Sequence, residues 1–220
     1  MTLREIITMS RDRLDDNSLP YLWSDAELTQ MINERQNELC EKCGILRDAT
    51  TTAICQISVV NGTSSYSLDT RIIKILSAKL GTLYTLLEPT TRDVLDDEYQ
   101  GWDDDTGTPT KFILDFTGKI RLYPIPIANA TLYLSVTRYP LTQLFVATDT
   151  ASPEIPWQYH TKLLPGILSL AYAKDDSEAI DMKRSQLNEM AWQKNVNDIQ
   201  QNESNYYYYG IVAAPLYGNI

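Results

Sequence analysis

The 220-residue sequence predicts an α+β protein: a four-helix bundle made from the N- and C-terminal segments, an inserted antiparallel β domain and an extended C-terminal arm. Near both ends, apolar residues recur at three- and four-residue steps, which is typical of amphipathic helices. Between them the pattern alternates with a period of two, as in half-buried strands. The predicted segments are a helical hairpin at 1–48, a β domain at 49–142, a linker at 143–156, two helices at 157–203 and the arm at 204–220.

The N-terminal segment predicts two helices that form an antiparallel hairpin. The second begins at Ser24, a favourable N-cap residue with Glu27 at the capping-box spacing. Trp23 and Leu28 are placed to form a hydrophobic staple across this cap, and Gly44 is a natural C-terminal stop. The first helix carries an apolar stripe between charged flanks, made of Leu3, Ile6, Ile7, Ser10 and Leu14.

The middle of the chain predicts about six strands. The first, from Ala53 to Val60, ends at Asn61-Gly62, which is a strong turn signal. The segment DVLDDEYQGWDDDTGT, from Asp93 to Thr108, is expected to form an acidic loop with a possible helical turn. The remaining strands are predicted in YSL, RIIKILSAKL and LYTLLE, in a hairpin with alternating Phe112, Leu114, Phe116, Ile120 and Leu122, and through Leu132, Leu134 and Val136.

Helix returns after the prolines of the linker. From Trp157 onward an apolar face is predicted, and Pro165 either kinks this helix or delays its start. A last helix is expected from Glu178 to Glu203. The apolar face of the third helix consists of Tyr159, Leu163, Leu164, Ile167, Leu168, Ala171 and Tyr172, and the inner face of the last helix of Ile180, Leu187, Met190, Ala191 and Ile199.

Composition excludes several classes of function. With 29 acidic and 19 basic side chains the net charge is −10, which disfavours a surface that grips nucleic acid phosphates. No apolar run approaches the roughly 20 residues that span a bilayer, so no membrane contact is expected. Three cysteines are an odd number that fits a reducing interior better than a disulfide framework.

Residues that carry catalytic chemistry are few. Cys40 and Cys43 form a C-x-x-C pair at a helix C-terminus, where the helix dipole raises thiol pKa values. His160 is the only histidine, and no nucleophile motif accompanies it. No nucleotide-binding glycine motif or calcium loop occurs, and the acidic run from Asp103 to Asp105 lacks EF-hand spacing. We therefore expect neither a metal nor another cofactor. An enzyme or redox protein using His160 or the cysteine pair stays an alternative.

Several segments in the right order resemble the head-to-tail adaptor (connector, or head completion) proteins of tailed bacteriophages. The N-terminal part is similar in LREIITMSRDRLDD and PYLWSDAELTQMINERQNEL, and the β domain in YSLDTRIIKI, GTPTKF and LYPIP. The third helix is similar in IPWQYHTKLLPGILSLAYAKDD. The most specific pieces are YLWSDAEL…INE and IPxxYHxxL, and the resemblance covers most of the chain.

The resemblance implies a structural virion protein without catalysis. Members of that family form a ring, usually of twelve copies, that binds beneath the portal protein after DNA packaging. The ring extends the DNA channel without sequence-specific binding and gives tail and nozzle proteins a docking platform. The resemblance thus implies synthesis in the bacterial cytoplasm and a final place at the head–tail junction of the virion. A stand-alone binding module is a further alternative.

Candidate contact residues follow from the ring role. Residues 205–220 carry no charged side chain, and this tail is interpreted as a portal-binding arm. The alternatives are a disordered end or a strand that pairs with its own β domain. The acidic charge either lines the DNA channel or keeps the free chain soluble. Contacts between subunits are expected at Arg4, Arg11, Arg13 and Trp102. The arm residues are Tyr206, Tyr207, Tyr208, Tyr209, Ile211, Val212, Leu216 and Tyr217.

Overall fold

The chain folds into two units, one formed from both ends and one from the middle. The structure is a computed structural model that describes residues 1–98, 100–115, 117–174 and 180–212, with side chains only as far as residue 204. The helical unit comprises Met1–Leu46 and Pro140–Ile220, and the β unit comprises Arg47–Tyr139. The predicted α+β class is confirmed.

The first two helices are α1 (Leu3–Leu14) and α2 (Asp25–Cys43). At the start of α2 the hydroxyl of Ser24 accepts from the backbone N–H of Glu27 (3.2 Å), and the Glu27 carboxylate accepts from the backbone N–H of Ser24 (2.8 Å). Gly44 ends α2 in the left-handed conformation, with φ of 58°. The predicted cap and stop are therefore confirmed. Thr2 and Glu5 cap α1 in the same way.

Pro165 delays the third predicted helix rather than kinking it. Two 3₁₀ turns, Trp157–Tyr159 and Thr161–Leu163, precede helix α5 (Leu164–Tyr172). Pro165 lies in the first turn of α5, where a backbone N–H has no partner within the helix. The predicted apolar face is confirmed, since Tyr159, Leu163, Leu164, Ile167, Leu168, Ala171 and Tyr172 are all buried.

The predicted inner face of the last helix is wrong for most of its residues. Helix α6 (Met182–Val212) leaves the side chains of Leu187 and Met190 58% and 70% exposed. Trp192 is instead completely buried. The helix carries two apolar stripes on nearly opposite faces, and the stripe with the large indole removes more apolar area from water. Among the α6 side chains that the structure describes, 182–204, the buried ones are Ser185, Trp192, Val196 and Ile199; Ala191 is exposed, and Ile180, exposed as well, precedes the helix.

Helix α6 also continues past its predicted end. The expected stop was Glu203, but the backbone remains helical through Val212. An extended arm starting at residue 204 is therefore wrong for residues 204–212. Once a helix is nucleated, each further residue adds one hydrogen bond, and tyrosine costs only a few tenths of a kcal/mol relative to alanine. The rest of the predicted arm, 213–220, lies outside the described residues.

The segment predicted as a linker packs into the helical unit. Asn33 of α2 makes two hydrogen bonds with the backbone of Leu144, each 2.9 Å long. The backbone N–H of Glu154 donates to the side chain of Gln36 (3.0 Å), and that of Leu3 donates to the Ala151 carbonyl (2.7 Å). Because α1 and α2 supply these partners, the segment is ordered by tertiary contacts that its own sequence does not reveal.

The β unit contains an eight-stranded sheet and a separate two-stranded pair. The strand order in the larger sheet is β1-β10-β4-β5-β7-β8-β3, and β2 also pairs with β10. Its strands are β1 (Arg47–Asp48), β2 (Gln56–Val59), β3 (Ser65–Ser67), β4 (Ile72–Leu80), β5 (Thr85–Thr90), β7 (Lys111–Asp115), β8 (Lys119–Tyr123) and β10 (Ala130–Arg138). The smaller pair is β6 (Thr106–Gly107) with β9 (Ile125–Pro126).

The expectation of a purely antiparallel sheet is wrong at two places. Strands β5 and β7 are parallel, and so are β6 and β9. The chain between β5 and β7 crosses over through helix α4 (Arg92–Glu98) and a 3₁₀ turn (Trp102–Asp104), which is long enough to return in the same direction. The predicted hairpin of β7 and β8 is confirmed, with Phe112 opposite Leu122. Phe116 lies outside the described residues.

The first predicted strand of this unit begins later than expected. Residues Thr52–Cys55 form one helical turn, α3, and only Gln56–Val59 are extended. The carboxylate of Asp48 accepts from the backbone N–H groups of Thr50 (2.9 Å) and Thr51 (3.0 Å), which bends the chain into that turn. Side chains of the strands and of α3 form an apolar core of Ile54, Cys55, Val59, Ala78, Leu80, Leu87, Phe112, Ile120, Leu122, Leu132, Leu134 and Val136.

Candidate interaction surfaces

Arg11, expected at a subunit contact, is buried in its own chain. Its guanidinium donates to Asp16 (2.5 Å), to Asp25 (2.7 Å) and to the carbonyl of Trp23 (2.7 Å). It also lies over the ring of Tyr21, 3.7 Å from the centroid. Arg11 therefore holds the connection between α1 and α2 and is not available to a neighbouring copy.

Trp102, also expected at a subunit contact, is only 2% exposed. It packs with Leu95 and Ile113 in a small cluster on the sheet, and its indole N–H donates to Asp96 (2.6 Å). The guanidinium of Arg121 lies 4.6 Å from its ring. The acidic segment from Asp93 to Thr108 is thus anchored by a tryptophan that belongs to the β-unit core.

The other predicted contact residues differ in what the structure describes. Arg4 is exposed and pairs with Asp149, and Arg13 is exposed. Residues 206–209 and 211–212 lie in the α6 backbone, but their side chains are outside the described part, as are Leu216 and Tyr217 entirely. Subunit and portal contacts at these residues stay predictions.

His160 is held as a packing residue in the helical unit. It is 3% exposed, its Nδ1 accepts from the amino group of Met1 (3.0 Å), and its Nε2–H donates to the carbonyl of Ile155 (2.9 Å). Burial lowers the pKa of His160, which favours the neutral ring. Since both ring nitrogens are engaged, this geometry gives no support to a role in proton transfer.

The C-x-x-C pair lies at the C-terminal end of α2. The thiol of Cys43 donates to the carbonyl of Val196 on α6 (3.6 Å), and Cys40 is completely buried. Burial, assisted by the charge of Glu203, raises the pKa of Cys43 to about 11. A thiol that stays protonated at neutral pH is a poor nucleophile, so the pair is explained by packing. No group of three or more potential metal ligands occurs among the residues that the structure describes.

The β unit exposes an apolar patch at the turn between β4 and β5. Leu83 is 89% exposed, and Leu86 and Ile127 are also exposed. The ring of Tyr84, whose φ is +51°, lies 5.0 Å from that of Tyr133. A cavity of about 230 Å³ separates this turn from residues 107–109 and 127–130. The sequence did not reveal this patch because LYTLLE was assigned to a strand, whereas Leu83 and Tyr84 lie in the turn before β5 (Thr85–Thr90).

The helical unit exposes apolar side chains in two separate places. One is the outer side of α6, with Leu187 and Met190. The other is the segment before α5, where Phe145 and Val146 lie beside α2 and Trp157 is 79% exposed. Exposed apolar side chains that lie together are candidates for protein–protein contact. They were missed because Leu187 and Met190 were assigned to the core, Phe145 and Val146 to the linker and Trp157 to the third helix.

Charge is distributed unevenly between the two units. The helical unit carries 18 acidic and 10 basic side chains, whereas the β unit carries 11 and 9. The acidity of the chain therefore resides mainly in the helical unit. No helix in the described ranges is both long and apolar enough to cross a membrane.

Comparison with known proteins identifies the family of this chain. The family model described as SU10 adaptor protein matches residues 1–215, almost the whole chain. The chain belongs to the SU10 adaptor protein family. This adaptor is thus a structural protein of bacteriophages, and the resemblance seen in the sequence is confirmed. No curated protein matches the adaptor in sequence.

Proposed function

We propose that this adaptor forms a ring beneath the portal at the head–tail junction of the virion, where it extends the DNA channel and docks tail and nozzle proteins. A ring of twelve copies of the 25.0 kDa chain is the expected assembly. The family match carries the proposal. The apolar side chains that the two units leave exposed support it, because an assembly protein needs surface that its monomer does not use.

The helices α1, α2, α5 and α6 are proposed to act as the four-helix bundle of each subunit in the ring. The β unit is proposed to provide a second contact surface. The buried contacts of Arg11 and Trp102 remove them from the list of candidates between subunits. Arg4 and Arg13 remain, because both are exposed. With the inter-subunit contact expected at Trp102 removed, the β4–β5 turn with Leu83 and Tyr84 is the proposed contact surface of the β unit.

The C-terminal residues are proposed to contact the portal. Four consecutive tyrosines and the apolar residues after them offer a large contact area with few rotatable bonds. Since α6 reaches Val212, the tyrosines would be presented on a helix and only 213–220 would remain for an extended arm. Deleting 213–220 and deleting 205–220 should therefore weaken portal binding in two steps. Circular dichroism that stays near wild type is the control, and full binding by the longer deletion would contradict the proposal.

The acidic charge has two proposed roles. It lines the channel, where a surface without basic patches lets DNA pass, or it keeps the free chain soluble. The concentration of acidic side chains in the helical unit makes that unit the place to test. Replacing channel-facing acids by lysine should slow DNA release in the first case and leave the ejection rate unchanged in the second.

The decisive experiment mixes the purified chain with portal rings and measures the mass and image of the product. We expect a complex with one added ring whose mass gives the copy number. A purified chain that forms no stable complex with portal rings at any salt or pH would contradict the proposed function.

A further inference from the structure

We propose that two neighbouring copies of this chain meet through two surfaces of the helical unit, the α6 face of one copy and the α2 groove of the next. The α6 face consists of Lys183, Leu187, Met190 and Lys194. The α2 groove consists of Ala26, Thr29, Gln30, Asn33, Gln143, Leu144, Phe145 and Val146, with Glu34 one turn further along α2. This interface deepens the proposed ring and rests on it.

The α6 face is an exposed amphipathic surface on a rigid helix. Its four residues repeat at intervals of four, three and four, so they share one side of α6. That side is opposite Trp192, which anchors the helix in the core of the unit. All four side chains are exposed, and neither Lys183 nor Lys194 has an ion pair among the described residues. Within the described ranges, two apolar side chains are thus flanked by two lysines that have no ion pair, in a unit with more acidic than basic side chains.

The α2 groove is concave and partly apolar, and one acidic side chain, Glu34, lies on α2 one turn beyond the lining residue Gln30. Its volume of about 240 Å³ is below the ~300–1,000 Å³ usual for small-molecule sites, and it suits protruding side chains. Phe145 and Val146 form one exposed wall, which the two hydrogen bonds between Asn33 and Leu144 hold against α2. The exposed carboxylate of Glu34 has no ion pair within the described ranges. Because the hydrogen bonds between Asn33 and Leu144 lie within one chain, the wall is formed before any partner binds.

Complementary charge identifies a second copy as the occupant. Chains of net charge −10 repel one another unless a basic surface of one copy meets an acidic surface of the next. The α6 face offers lysines at its ends and the α2 groove offers Glu34, while Leu187 and Met190 match the apolar wall. The two surfaces share no residue, so each copy can use both at once. Such a head-to-tail contact generates a ring when its rotation closes.

The test uses charge reversal on the full-length chain. Variant one is Glu34→Lys, and variant two is Lys183→Glu with Lys194→Glu. Each variant alone places like charges across the interface, so self-association should weaken at least about tenfold, measured by sedimentation at rising concentration. Mixing the two variants should restore association in an alternating assembly, because each face then meets a groove of opposite charge. Lys74→Glu with Lys79→Glu, two exposed lysines of the β unit, is the matched control and should associate like wild type.

The outcomes separate this interface from the proposed function. Restored association in the mixture supports the interface. Misfolding of a variant or a change in its net charge would weaken association but would not be reversed by mixing. Failure of the mixture to associate better than either variant overturns the interface, and so does a wild-type chain that stays monomeric throughout. Binding to portal rings is measured independently. A chain that binds the portal but fails the mixing test retains the proposed function and loses this interface.

Discussion

The two units of this adaptor are stabilised by different kinds of contact. In the helical unit, Arg35 of α2 is buried and donates to the carbonyl of Gly166 (3.1 Å), to the hydroxyl of Ser169 (2.8 Å) and to Glu189 (2.7 Å). It therefore links α2 with α5 and α6. The core of the β unit is apolar, and backbone ladders set its strand register.

This difference follows from how each unit is assembled. The β unit is continuous in sequence, whereas the helical unit joins two segments separated by the whole β unit. Apolar faces alone allow helices to slide or rotate, while a buried guanidinium with several fixed acceptors accepts one arrangement. We infer that the Arg35 contacts define the register of the helical unit. The β unit has less need of such contacts because each strand pair is aligned by its own hydrogen bonds.

The largest effect is expected at Trp192, in the helical unit. Trp192→Ala should lower the free energy of unfolding by about 3–5 kcal/mol, because the change leaves a cavity. It also removes the indole hydrogen bond to Glu38 (2.9 Å) and the ring beside Arg35. Denaturant unfolding measures the effect. Trp157→Ala, at an exposed position, is the control and should change stability by less than about 0.5 kcal/mol. Equal losses in both variants would contradict the assignment of Trp192 to the core.

The next effect tests a buried ion pair of the β unit, that of Arg138 with Asp48. Arg138 donates to Asp48 (2.7 Å), and Arg138→Met should cost about 3–5 kcal/mol because a buried carboxylate loses its countercharge. Burial alone would raise the pKa of Asp48, but hydrogen bonds from Thr51, Thr50 and Arg138 together lower it. Arg71→Met, which breaks the more exposed pair with Asp69, should cost less than about 1 kcal/mol. A small loss of unfolding free energy in Arg138→Met would show that the apolar core and the backbone hydrogen bonds between strands stabilise the β unit without this ion pair.

A smaller effect is expected at Gly166, where α5 approaches α2 and α6. A Cβ atom there would lie 2.8 Å from the Trp192 ring and 3.0 Å from the Arg35 side chain. Gly166→Ala should therefore destabilise the protein by about 1–3 kcal/mol through overpacking. Thermal unfolding of Gly107→Ala provides the comparison, because a Cβ at Gly107 makes only an ordinary contact with Pro124. No difference between the two alanine variants would argue against close packing at Gly166.

The smallest effect concerns acid stability at the start of α2. The hydrogen bond from Lys174, supported by Ser24, lowers the pKa of Glu27 to about 2. This contribution is complete above the unfolded pKa near 4.3 and is lost as the pH falls towards 2. Glu27→Gln should therefore flatten the pH dependence of the free energy of unfolding between about pH 4.5 and 2. Because the ion pair is partly exposed, the difference in free energy from wild type should be less than about 1 kcal/mol. An unchanged slope would mean that the pair contributes nothing.

Several local signals in the sequence gave correct predictions. The capping box of Ser24 and Glu27, the stop at Gly44 and the β7–β8 hairpin depend on neighbouring residues, and all are present. The same spacing at Thr2 and Glu5 would have located the cap of α1. Predictions of contact surfaces were less accurate. Arginine and tryptophan are common at interfaces, but Arg11 and Trp102 contact partners within their own chain.

The sequence by itself determined the α+β class, the helix caps and the resemblance to phage adaptors. Only the tertiary structure decided which face of α6 is buried. The helix has two apolar stripes, and packing against the neighbouring helices α5 and α2 buries the stripe that contains Trp192. It likewise decided that residues 143–156 pack on α2 through Asn33 and Gln36. The physical reason is that capping acts over one turn of chain, whereas burial depends on surfaces brought together from distant segments.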